Sequence, residues 1–266
     1  MKRLIAVMLA VIMVLSFAAC GKDDSSKKTF IMGIDPEYPP FSYIGDNGDY
    51  TGFDVEICKA VCESLGWEFE VFGVNWDQKL VQLDAKECDC VWSGMTILDS
   101  MKESGYVISK PYFYNTQVLV VGADSGIETS KDLAGKVVAV ELGTSGETLL
   151  NEDLSDLKDT FKELVTCDSF LKCFTELEGG AVDAVFVDYP VAKSYVSDKA
   201  DKLTIIDEEL GAEEYGIAFR KGDDDVCKQV DDAIQKLVED GTYEEIAKKY
   251  PDISLDNLIF LSDASK

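Results

Sequence analysis

One segment, from Gly33 to Glu56, constrains the fold of this chain most, because it joins a strand end, a proline-rich loop, a turn and a helix start in one compact order. The apolar run from Phe30 to Ile34 predicts a buried strand that ends at Asp35. In open α/β sheets, ligands bind beyond the carboxyl ends of the strands. The sequence therefore predicts that the Asp35 carboxylate lies at the edge of a cleft.

The loop after Asp35 contains three prolines, whose fixed φ angles stiffen the backbone that presents Tyr38. Asp46-Asn47-Gly48 is typical of a hairpin turn, since Asn and Gly tolerate positive φ. Gly52-Phe53-Asp54 predicts a helix start with acidic residues in its first turn. One carboxylate and one aromatic ring are thus predicted to face the cleft.

Strands and helices alternate along two parts of the chain, which predicts parallel sheets in an α/β protein. The first part contains a helix at 54–65, a strand at 68–72, a helix at 78–85 and a strand at 89–93. The second contains a strand at 137–140, a helix from Ser145, a strand at 161–165, a helix at 169–178 and a strand at 184–188. Residues 111–121 are extended and apolar, and a matching return lies at 213–219. We expect two α/β units joined by two chain crossings.

Several ordered motifs give the chain a family resemblance. Besides YPPF and TGFDVEI, they are NWD at 75–77, SGMTI at 93–97, DLAGK at 132–136, LGTSG at 142–146, VDAV at 182–185, YGIA at 215–218 and DGTY at 240–243. In this order they resemble the amino-acid-type solute-binding proteins of ABC importers, family 3, over roughly residues 29 to 250.

The resemblance implies a two-lobed, periplasmic-binding-protein-like α/β fold of type II, in which the two crossings act as hinges. Lobe 1 would comprise residues 29–110 plus 217–266, and lobe 2 residues 116–211. Such receptors close their lobes on one ligand and so create the surface that the membrane permease recognises. Neither covalent chemistry nor a cofactor is expected.

The first residues predict export and a lipid anchor. A basic pair precedes an apolar run that ends at Ala19, which is typical of a secretory signal and too short for a comfortable membrane span. FAACG at 17–21 resembles a lipoprotein cleavage box, although Leu is usual where Phe17 stands. We expect a signal peptide at 1–19, acylation of Cys20 and a tether over 20–28, which would hold the protein at the extracytoplasmic face of the cell membrane. Plain secretion is the alternative.

Composition argues against several function classes. The formal net charge of −26 opposes binding to nucleic acid, whose phosphates require basic partners. Histidine is absent, which removes the commonest general base and the commonest zinc ligand. We therefore expect neither a hydrolase nor a metal–imidazole site.

The eight cysteines are the main sequence feature that points to a different kind of site, such as a metal site or a set of disulfides. If Cys20 is acylated, an odd number remains, and these cannot all pair within the chain. Cys58 and Cys62 lie on the apolar face of a predicted helix, where they resemble small buried hydrophobic residues. Cys88 and Cys90 alternate along a predicted strand. A zinc site built from these four has an uncommon spacing, and disulfides or buried free thiols stay open as alternatives.

The resemblance also implies which residues bind the ligand. In lobe 1, Asp35 and Tyr38 would meet its polar end and its aliphatic part, and Trp76 would stack from the other side. Gly94 would offer a backbone group and Thr96 a hydroxyl. From the residues alone, the aromatic rings are equally compatible with the core, and Gly94 with a backbone requirement.

In lobe 2, Thr144 and Ser145 would present backbone N–H groups at a helix N-terminus, which favours a carboxylate. Asp188 matches the acid that receives the ligand α-ammonium group. From the residues alone, Asp188 is also compatible with a helix cap.

The chain departs from the family pattern at Met101, where the family carries an arginine that binds the ligand α-carboxylate. Beyond residue 19 the chain contains one arginine, Arg220. Lys102 follows directly, but one residue along a helix points it about 100° away. Glu141 stands where some members have a ligand-contacting lysine. Loss of this clamp would weaken carboxylate binding about ten- to a hundredfold.

Two ligand classes therefore stay open. One is an ordinary polar amino acid held by helix N–H groups and Lys102, and the other is a cationic or carboxylate-poor amine that suits Asp35, Glu141 and Asp188. Two other function classes also stay open, namely an enzyme resembling the cyclohexadienyl dehydratases, which reuse this fold, and a sensory cell-surface binding protein. We expect a monomer whose partners are a permease and, through it, an ATPase.

The tail continues beyond the point where the family commonly ends. Its apolar residues are unfavourable in water, and we expect them to pack on lobe 1. They are Leu255, Leu258, Ile259, Phe260 and Leu261.

Overall fold

The structure is a computed structural model that describes residues 27–264, with side chains to residue 261. The predicted signal peptide, the acylation site at Cys20 and most of the predicted tether lie outside the described residues. Among the described residues, no helix combines the length and the apolar character needed to cross a membrane.

The described part is a mixed α/β structure. Its strands are β1 (Thr29–Ile34), β2 (Glu37–Tyr38), β3 (Ser42–Ile44), β4 (Tyr50–Thr51), β5 (Glu68–Gly73), β6 (Cys90–Val91), β7 (Val107–Ile108), β8 (Phe113–Gly122), β9 (Val137–Glu141), β10 (Glu163–Cys167), β11 (Ala184–Asp188), β12 (Leu203–Ile205), β13 (Gly211–Tyr215) and β14 (Ala218–Phe219). Its helices are α1 (Phe53–Leu65), α2 (Lys79–Asp84), α3 (Asp99–Glu103), α4 (Ser145–Asn151), α5 (Ser155–Lys158), α6 (Phe170–Glu178), α7 (Tyr189–Val196), α8 (Asp224–Glu239), α9 (Thr242–Ala247) and α10 (Ile259–Ala264). Short 3₁₀ turns lie at Trp76–Gln78, Ser130–Leu133 and Leu255–Asn257.

The first sheet has the order β5-β1-β6-β14-β7. β1 is parallel to both β5 and β6, whereas β14 is antiparallel to β6 and β7. Phe30, Met32 and Ile34 of β1 are fully buried, as the apolar run predicts. A parallel pair needs a crossover connection, and α1 provides it between β1 and β5. The carboxyl ends of β1 and β6 therefore meet at one edge.

The second sheet has the order β10-β9-β11-β8-β12, and β13 pairs with β8. β9 is parallel to β10 and β11, while β8 runs antiparallel to β11. Val185 and Val187 of β11 are fully buried, which matches the nearly continuous apolar sequence of a strand covered on both faces. Glu141 and Asp188 end β9 and β11, so both acids lie at the same edge of this sheet.

The chain passes between the two sheets twice. It leaves the first sheet after β7 and enters the second at β8, and it returns between β13 and β14. β8 and β13 pair antiparallel from Gly211 opposite Gln117 to Tyr215 opposite Phe113. The extended segments expected at 111–121 and 213–219 thus pair through residues 113–115 and 213–215, where the two sheets adjoin.

The opening segment folds locally as its turn chemistry indicates. β2, β3 and β4 form a small antiparallel sheet, and the Gly48 N–H closes the turn on the Gly45 carbonyl at 2.9 Å. Gly48 has a φ of 84°, which asparagine and glycine tolerate best. α1 begins one residue before the predicted start and ends at Leu65 as predicted.

Several predicted bounds are wrong by a few residues. The helix expected over 78–85 is a 3₁₀ turn at Trp76–Gln78 followed by α2, and the strand expected over 89–93 is only Cys90–Val91. The strand expected over 161–165 lies at Glu163–Cys167, in register with β9. Sheet pairing, rather than the local apolar pattern, sets where this strand begins and ends.

Most of the tail packs as predicted. Leu258, Ile259 and Phe260 are buried, and the Ile259 N–H donates to the Tyr112 carbonyl at 3.0 Å. Leu261 is half-buried. The prediction is wrong for Leu255, which is 37% exposed because it stands in the last 3₁₀ turn rather than in α10.

The seven cysteines of the described part are free and buried. Burial raises the pKa of the Cys58 and Cys90 thiols well above their usual range. Among residues 27–264, the Cys, Asp and Glu side chains form no group of three or more that could hold a metal ion. The described cysteines therefore pack as small apolar side chains.

Candidate functional site

A cavity of about 30 Å³ lies where the two sheets adjoin. Residues that follow strands of the first sheet form one wall, and residues that follow β9 and β11 form the other. The lining residues are Tyr38, Trp76, Lys79, Gly94, Met95, Thr96, Leu98, Met101, Gly143, Thr144, Ser145 and Asp188. Most residues of the predicted binding site, which were chosen from separate parts of the sequence, thus lie on one cavity.

Asp188 is the acidic residue on the cavity wall. Its Oδ1 accepts hydrogen bonds from Asn115 Nδ2 at 2.6 Å, Gln117 Nε2 at 2.8 Å and the Tyr215 hydroxyl at 2.6 Å. Although Asp188 directly precedes α7, its side chain makes no cap hydrogen bond. The carboxylate is therefore held by side chains of β8 and β13 rather than by α7, the helix that it precedes.

Glu213 shares the same two amides. Its Oε1 accepts from Asn115 Nδ2 at 2.6 Å and from Gln117 Nε2 at 2.8 Å. Burial raises the pKa of Asp188 well above its usual range, and the carboxyl of Glu213 adds to the rise. A positive charge at the cavity would lower the pKa of Asp188 again, because an opposite charge favours the ionised carboxylate.

Tyr38 covers one side of the cavity. Its hydroxyl lies 2.8 Å from the Tyr215 hydroxyl, which in turn donates to Asp188. Its ring stacks on Phe41 and lies 5.9 Å from the Phe170 ring, between centroids. Residues of the proline loop, of α6 and of β13 thus hold the ring that the sequence predicted at the cleft.

Gly94 allows Tyr38 to take this position. Its φ is 53°, and a Cβ built on it would lie 2.3 Å from Tyr38 Cε1. Its N–H is already used, because it donates to Asp54 Oδ2 at 2.8 Å and to the Tyr112 hydroxyl at 3.1 Å. The N–H of Gly94 is therefore bound within the protein, and its carbonyl is the backbone group that remains on the cavity wall.

Hydroxyl groups bridge the two walls. Thr96 Oγ1 donates to Ser145 Oγ at 3.0 Å, which joins the two walls directly. The Thr144 hydroxyl donates to the Glu141 carbonyl at 2.7 Å and accepts the Glu147 N–H, so it caps α4. The hydroxyl of Thr144 is thus structural, whereas the wall position of Ser145 leaves it facing the cavity.

Asp35 and Glu141 are buried but do not line the cavity. Asp35 Oδ1 accepts the Glu37 N–H at 2.8 Å, so Asp35 caps the proline loop. Its Oδ2 and both carboxyl oxygens of Glu141 accept no hydrogen bond from the described residues. Burial raises the pKa of Asp35 to about 6, and burial together with Asp35 raises the pKa of Glu141 well above its usual range. Glu141 is therefore the acid of this pair that keeps its proton.

Met101 and Trp76 are buried on the wall, with 5% and 8% of their surface exposed. The thioether of Met101, on α3, occupies the position that the family resemblance gives to an arginine. Trp76 brings its ring to the same cavity from the 3₁₀ turn before α2. This part of the wall is apolar, as a cover for an aliphatic or aromatic ligand portion would be.

Lys79 is a cation on the wall that the sequence analysis missed. It is 8% exposed, and its Nζ donates to the Trp76 carbonyl at 3.1 Å and to the Gly143 carbonyl at 2.7 Å. Burial lowers the pKa of Lys79 to about 8. Its position one helical turn after Trp76 is the sequence signal that was available, since residues three apart share a helix face.

Lys102, in contrast, does not reach the cavity. Its side chain is 55% exposed, and its Nζ lies 3.8 Å from the Asp99 carboxylate. The expected role of Lys102 beside the ligand carboxylate is therefore wrong, because its position on α3 turns it to solvent.

Comparison with known proteins identifies the type of molecule that has this architecture. A model of bacterial extracellular solute-binding proteins, family 3, matches residues 30–252. The L-cystine-binding protein TcyJ of Escherichia coli strain K12 is 36% identical over 224 residues, which cover 84% of this chain and 82% of the relative. The arginine-binding extracellular protein ArtP of Bacillus subtilis is 31% identical over 267 residues, which cover 94% of this chain and 98% of the relative.

A solved structure shows the same fold. The substrate-binding protein of an ABC uptake transporter from Streptococcus pneumoniae, with bound histidine, matches with a TM-score of 0.82 and 27% identity. The match covers 87% of this chain and 94% of that one. The two-lobed α/β fold predicted from the sequence is confirmed.

Proposed function

This chain belongs to the bacterial extracellular solute-binding proteins of family 3, and we propose that it captures a polar amino acid between its two lobes and delivers it to an ABC importer. The observation that carries the proposal is the Asp188 carboxylate, which three donors hold on the wall of a cavity shared by both sheets. A carboxylate fixed in this way suits an α-ammonium group. Relatives of this chain bind cystine and arginine.

The ligand lies between residues of both lobes in this proposal. Its ammonium group meets Asp188 and the Gly94 carbonyl, and the rings of Tyr38 and Trp76 cover its apolar part. Thr96 and Ser145 contribute hydroxyl groups. The lobes comprise residues 29–110 plus 217–266 and residues 116–211, and the two segments between them, 111–115 and 212–216, are the hinge.

Lobe movement follows from the size of the cavity. About 30 Å³ accommodates a water molecule or two, but not an amino acid. Ligand entry therefore requires the two walls to separate. The contacts that must break include the Thr96–Ser145 hydrogen bond and the Lys79–Gly143 hydrogen bond. Closure re-forms a two-lobed surface, which the permease reads before its ATPase drives transport.

The protein acts as a binding protein and not as an enzyme in this proposal. It is held at the extracytoplasmic face of the membrane by acyl groups on Cys20 and works as a monomer. A family of extracellular solute-binding proteins and the lipoprotein-like FAACG sequence support that location. The partners are the permease and, through it, the ATPase.

Calorimetric titration tests the binding function. The chain is unfolded, dialysed and refolded to remove any retained molecule, and is then titrated with L-cystine, L-arginine and L-histidine. We expect one-to-one binding of at least one of them. Asp188→Asn should weaken that binding about ten- to a hundredfold, because a charge-assisted hydrogen bond contributes about 1.5–3 kcal/mol. Equal affinities of Asp188→Asn and the wild type would contradict the proposal.

Glu213→Gln is the matched control. Glu213 shares both amide donors with Asp188 but does not line the cavity. We expect its affinity to stay within a few-fold of the wild type. If both variants lost affinity equally, the carboxyl pair would matter for folding of the hinge rather than for ligand contact.

The two other function classes, a dehydratase and a sensory binding protein, predict different experimental results. A dehydratase would convert arogenate or prephenate, which an assay of the purified protein would detect by loss of substrate. A sensory binding protein would bind its ligand but would not be needed for uptake by cells. Deletion of the gene should therefore abolish high-affinity uptake of the ligand if the transport proposal is correct.

A further inference from the structure

We propose that Lys79 binds the carboxylate of the ligand and so determines the preference of this protein for amino acids over amines. The inference rests on the proposed function. It assigns to Lys79, in α2, the task that the family resemblance gives to an arginine at the position of Met101.

The geometry of Lys79 is that of a buried cation without a counter-ion in contact. Its Nζ donates to the carbonyls of Trp76 and Gly143, and it lies 4.6 Å from the centroid of the Trp76 ring. In the described part of the chain, no carboxylate oxygen lies within 4.0 Å of Nζ. An ammonium group has three N–H donors, and the two carbonyls use two of them. The third is left for a carboxylate oxygen in the cavity that Lys79 lines.

The other cations near this region are committed elsewhere. Arg220 pairs with Asp89 at 3.0 Å and with Asp223 at 3.1 Å, and it does not line the cavity. Lys102 is exposed beside Asp99. Among the described residues of the cavity wall, Lys79 alone carries a positive charge. A ligand carboxylate therefore has one cation to meet.

The charges around Lys79 favour a ligand that brings its own carboxylate. The acids facing it are Glu141, Asp77, Asp35 and Glu147. Burial and the neighbouring Asp35 raise the pKa of Glu141 well above its usual range, and Glu147 accepts the Gly143 N–H at 2.7 Å. Burial of an incompletely paired cation is unfavourable, and contact with a carboxylate offsets that cost. With Asp188 across the cavity, the two groups match the two charges of an amino acid.

Paired ligands separate this role from a structural one. The probes are L-arginine and agmatine, L-histidine and histamine, and L-cystine and cystamine, where each pair differs by carboxylate groups alone. For the amino acid that binds, we expect the wild type to prefer it at least tenfold over its decarboxylated partner. Lys79→Met should weaken amino-acid binding about ten- to a hundredfold and leave amine binding within a few-fold, since a charged hydrogen bond contributes about 1.5–3 kcal/mol.

Two further variants complete the experiment. Lys79→Arg keeps the cation and should keep the preference, and Lys102→Met should bind like the wild type. If Lys79→Met weakens both members of a pair equally, Lys79 serves only to hold the lobes together and the inference is wrong. If the wild type binds the decarboxylated partner as tightly as the amino acid, the inference is also wrong, while the receptor function stands.

Failure of the proposed function looks different. In that case the wild type binds none of the six probes or any other amino acid. If Lys79→Met does not fold, as judged by its thermal unfolding, Lys79→Gln replaces it in the same pairs. It retains polar contacts but no charge, and it is expected to lose the preference.

Discussion

The Lys79 ammonium group donates to the Gly143 carbonyl at 2.7 Å and so links the two walls of the cavity. The two residues are far apart in the sequence: Lys79 begins α2, which follows β5 of the first sheet, and Gly143 follows β9 of the second. A Cβ at Gly143 would lie 2.7 Å from Asp77 Cα, so the backbones approach closely here. The cation is thereby fixed where the two walls of the cavity approach each other.

Burial of Lys79 destabilises the folded protein at neutral pH. Its pKa falls from 10.5 to about 8, mainly through desolvation, which corresponds to about 3 kcal/mol at most. Lys79→Met should therefore raise the free energy of unfolding by about 1–3 kcal/mol at pH 7, as measured by urea denaturation. Lys102→Met, at an exposed position, should change it by about 0.5 kcal/mol or less.

The difference in the free energy of unfolding between Lys79→Met and the wild type depends on pH, and the lowered pKa of Lys79 fixes the sign of this dependence. Between pH 8 and 10.5 the unfolded chain keeps the Lys79 proton that the folded chain has lost, so the stability of the wild type rises with pH in this window. The gain from Lys79→Met should therefore shrink above pH 8. A variant less stable than the wild type at pH 7 would show that the carbonyl hydrogen bonds outweigh the desolvation.

Gly94→Ala should lower stability and ligand affinity together. The added Cβ would meet the Tyr38 ring at 2.3 Å, and the φ of 53° disfavours a side chain. We expect a loss of about 2–4 kcal/mol in the free energy of unfolding, from overpacking and backbone strain combined. Gly48→Ala is the control, because its φ of 84° adds strain without any atom within 4 Å. It should cost about 1 kcal/mol, and equal losses would contradict the packing argument.

Acidification should stabilise the described domain. Burial raises the pKa of Asp54 to about 7 and that of Asp35 to about 6, against 3.8 for an ordinary aspartate. The folded chain therefore holds these protons where the unfolded chain has lost them, and stability falls as pH rises from about 4 to 7. We expect the free energy of unfolding to increase by about 2 kcal/mol or more from pH 8 to pH 5.

Asp54→Asn checks the source of this effect. It keeps an acceptor for the Gly94 N–H and the Tyr112 hydroxyl but has no proton to gain. Its stability should vary less between pH 5 and 8 than that of the wild type. If the free energy of unfolding of Asp54→Asn varied with pH as steeply as that of the wild type, the acidic residues on the surface would be the source of the pH dependence instead.

Cys20→Ala should move the protein from the membrane fraction to the soluble extracytoplasmic fraction. Two acyl chains anchor a protein stably, and the net charge of −26 opposes attraction to an anionic lipid surface. Fractionation of cells that express each form, with palmitate labelling, measures this. Cys227→Ala, at a buried position of α8, should keep the label. A labelled Cys20→Ala protein would contradict acylation at that residue.

Local sequence signals predicted the elements around the site well. The run before Asp35, the turn at Gly48 and the start of α1 were predicted because each depends on neighbouring residues. The site role of Asp188 was predicted from the family resemblance. Its partners Asn115, Gln117 and Glu213 did not follow, because the pairing of β8 with β11 and β13 brings them together over long sequence distances.

Lys79 was missed for a similar reason. Its local pattern is that of an amphipathic helix start, in which a lysine ordinarily faces solvent. Lys79 is buried only because Gly143, which follows β9 of the second sheet, packs against it. The sequence predicted that the family's arginine is missing at Met101, but the burial of Lys79 on the same cavity wall is visible only in the folded chain.

Calorimetric titration of the refolded chain with the twenty common L-amino acids and L-cystine tests the central claim most directly. The account predicts one-to-one binding of at least one of them with a dissociation constant in the micromolar range or below, equivalent to about −8 kcal/mol or stronger. Absence of binding to all of them, in a preparation with a cooperative unfolding transition, would contradict it.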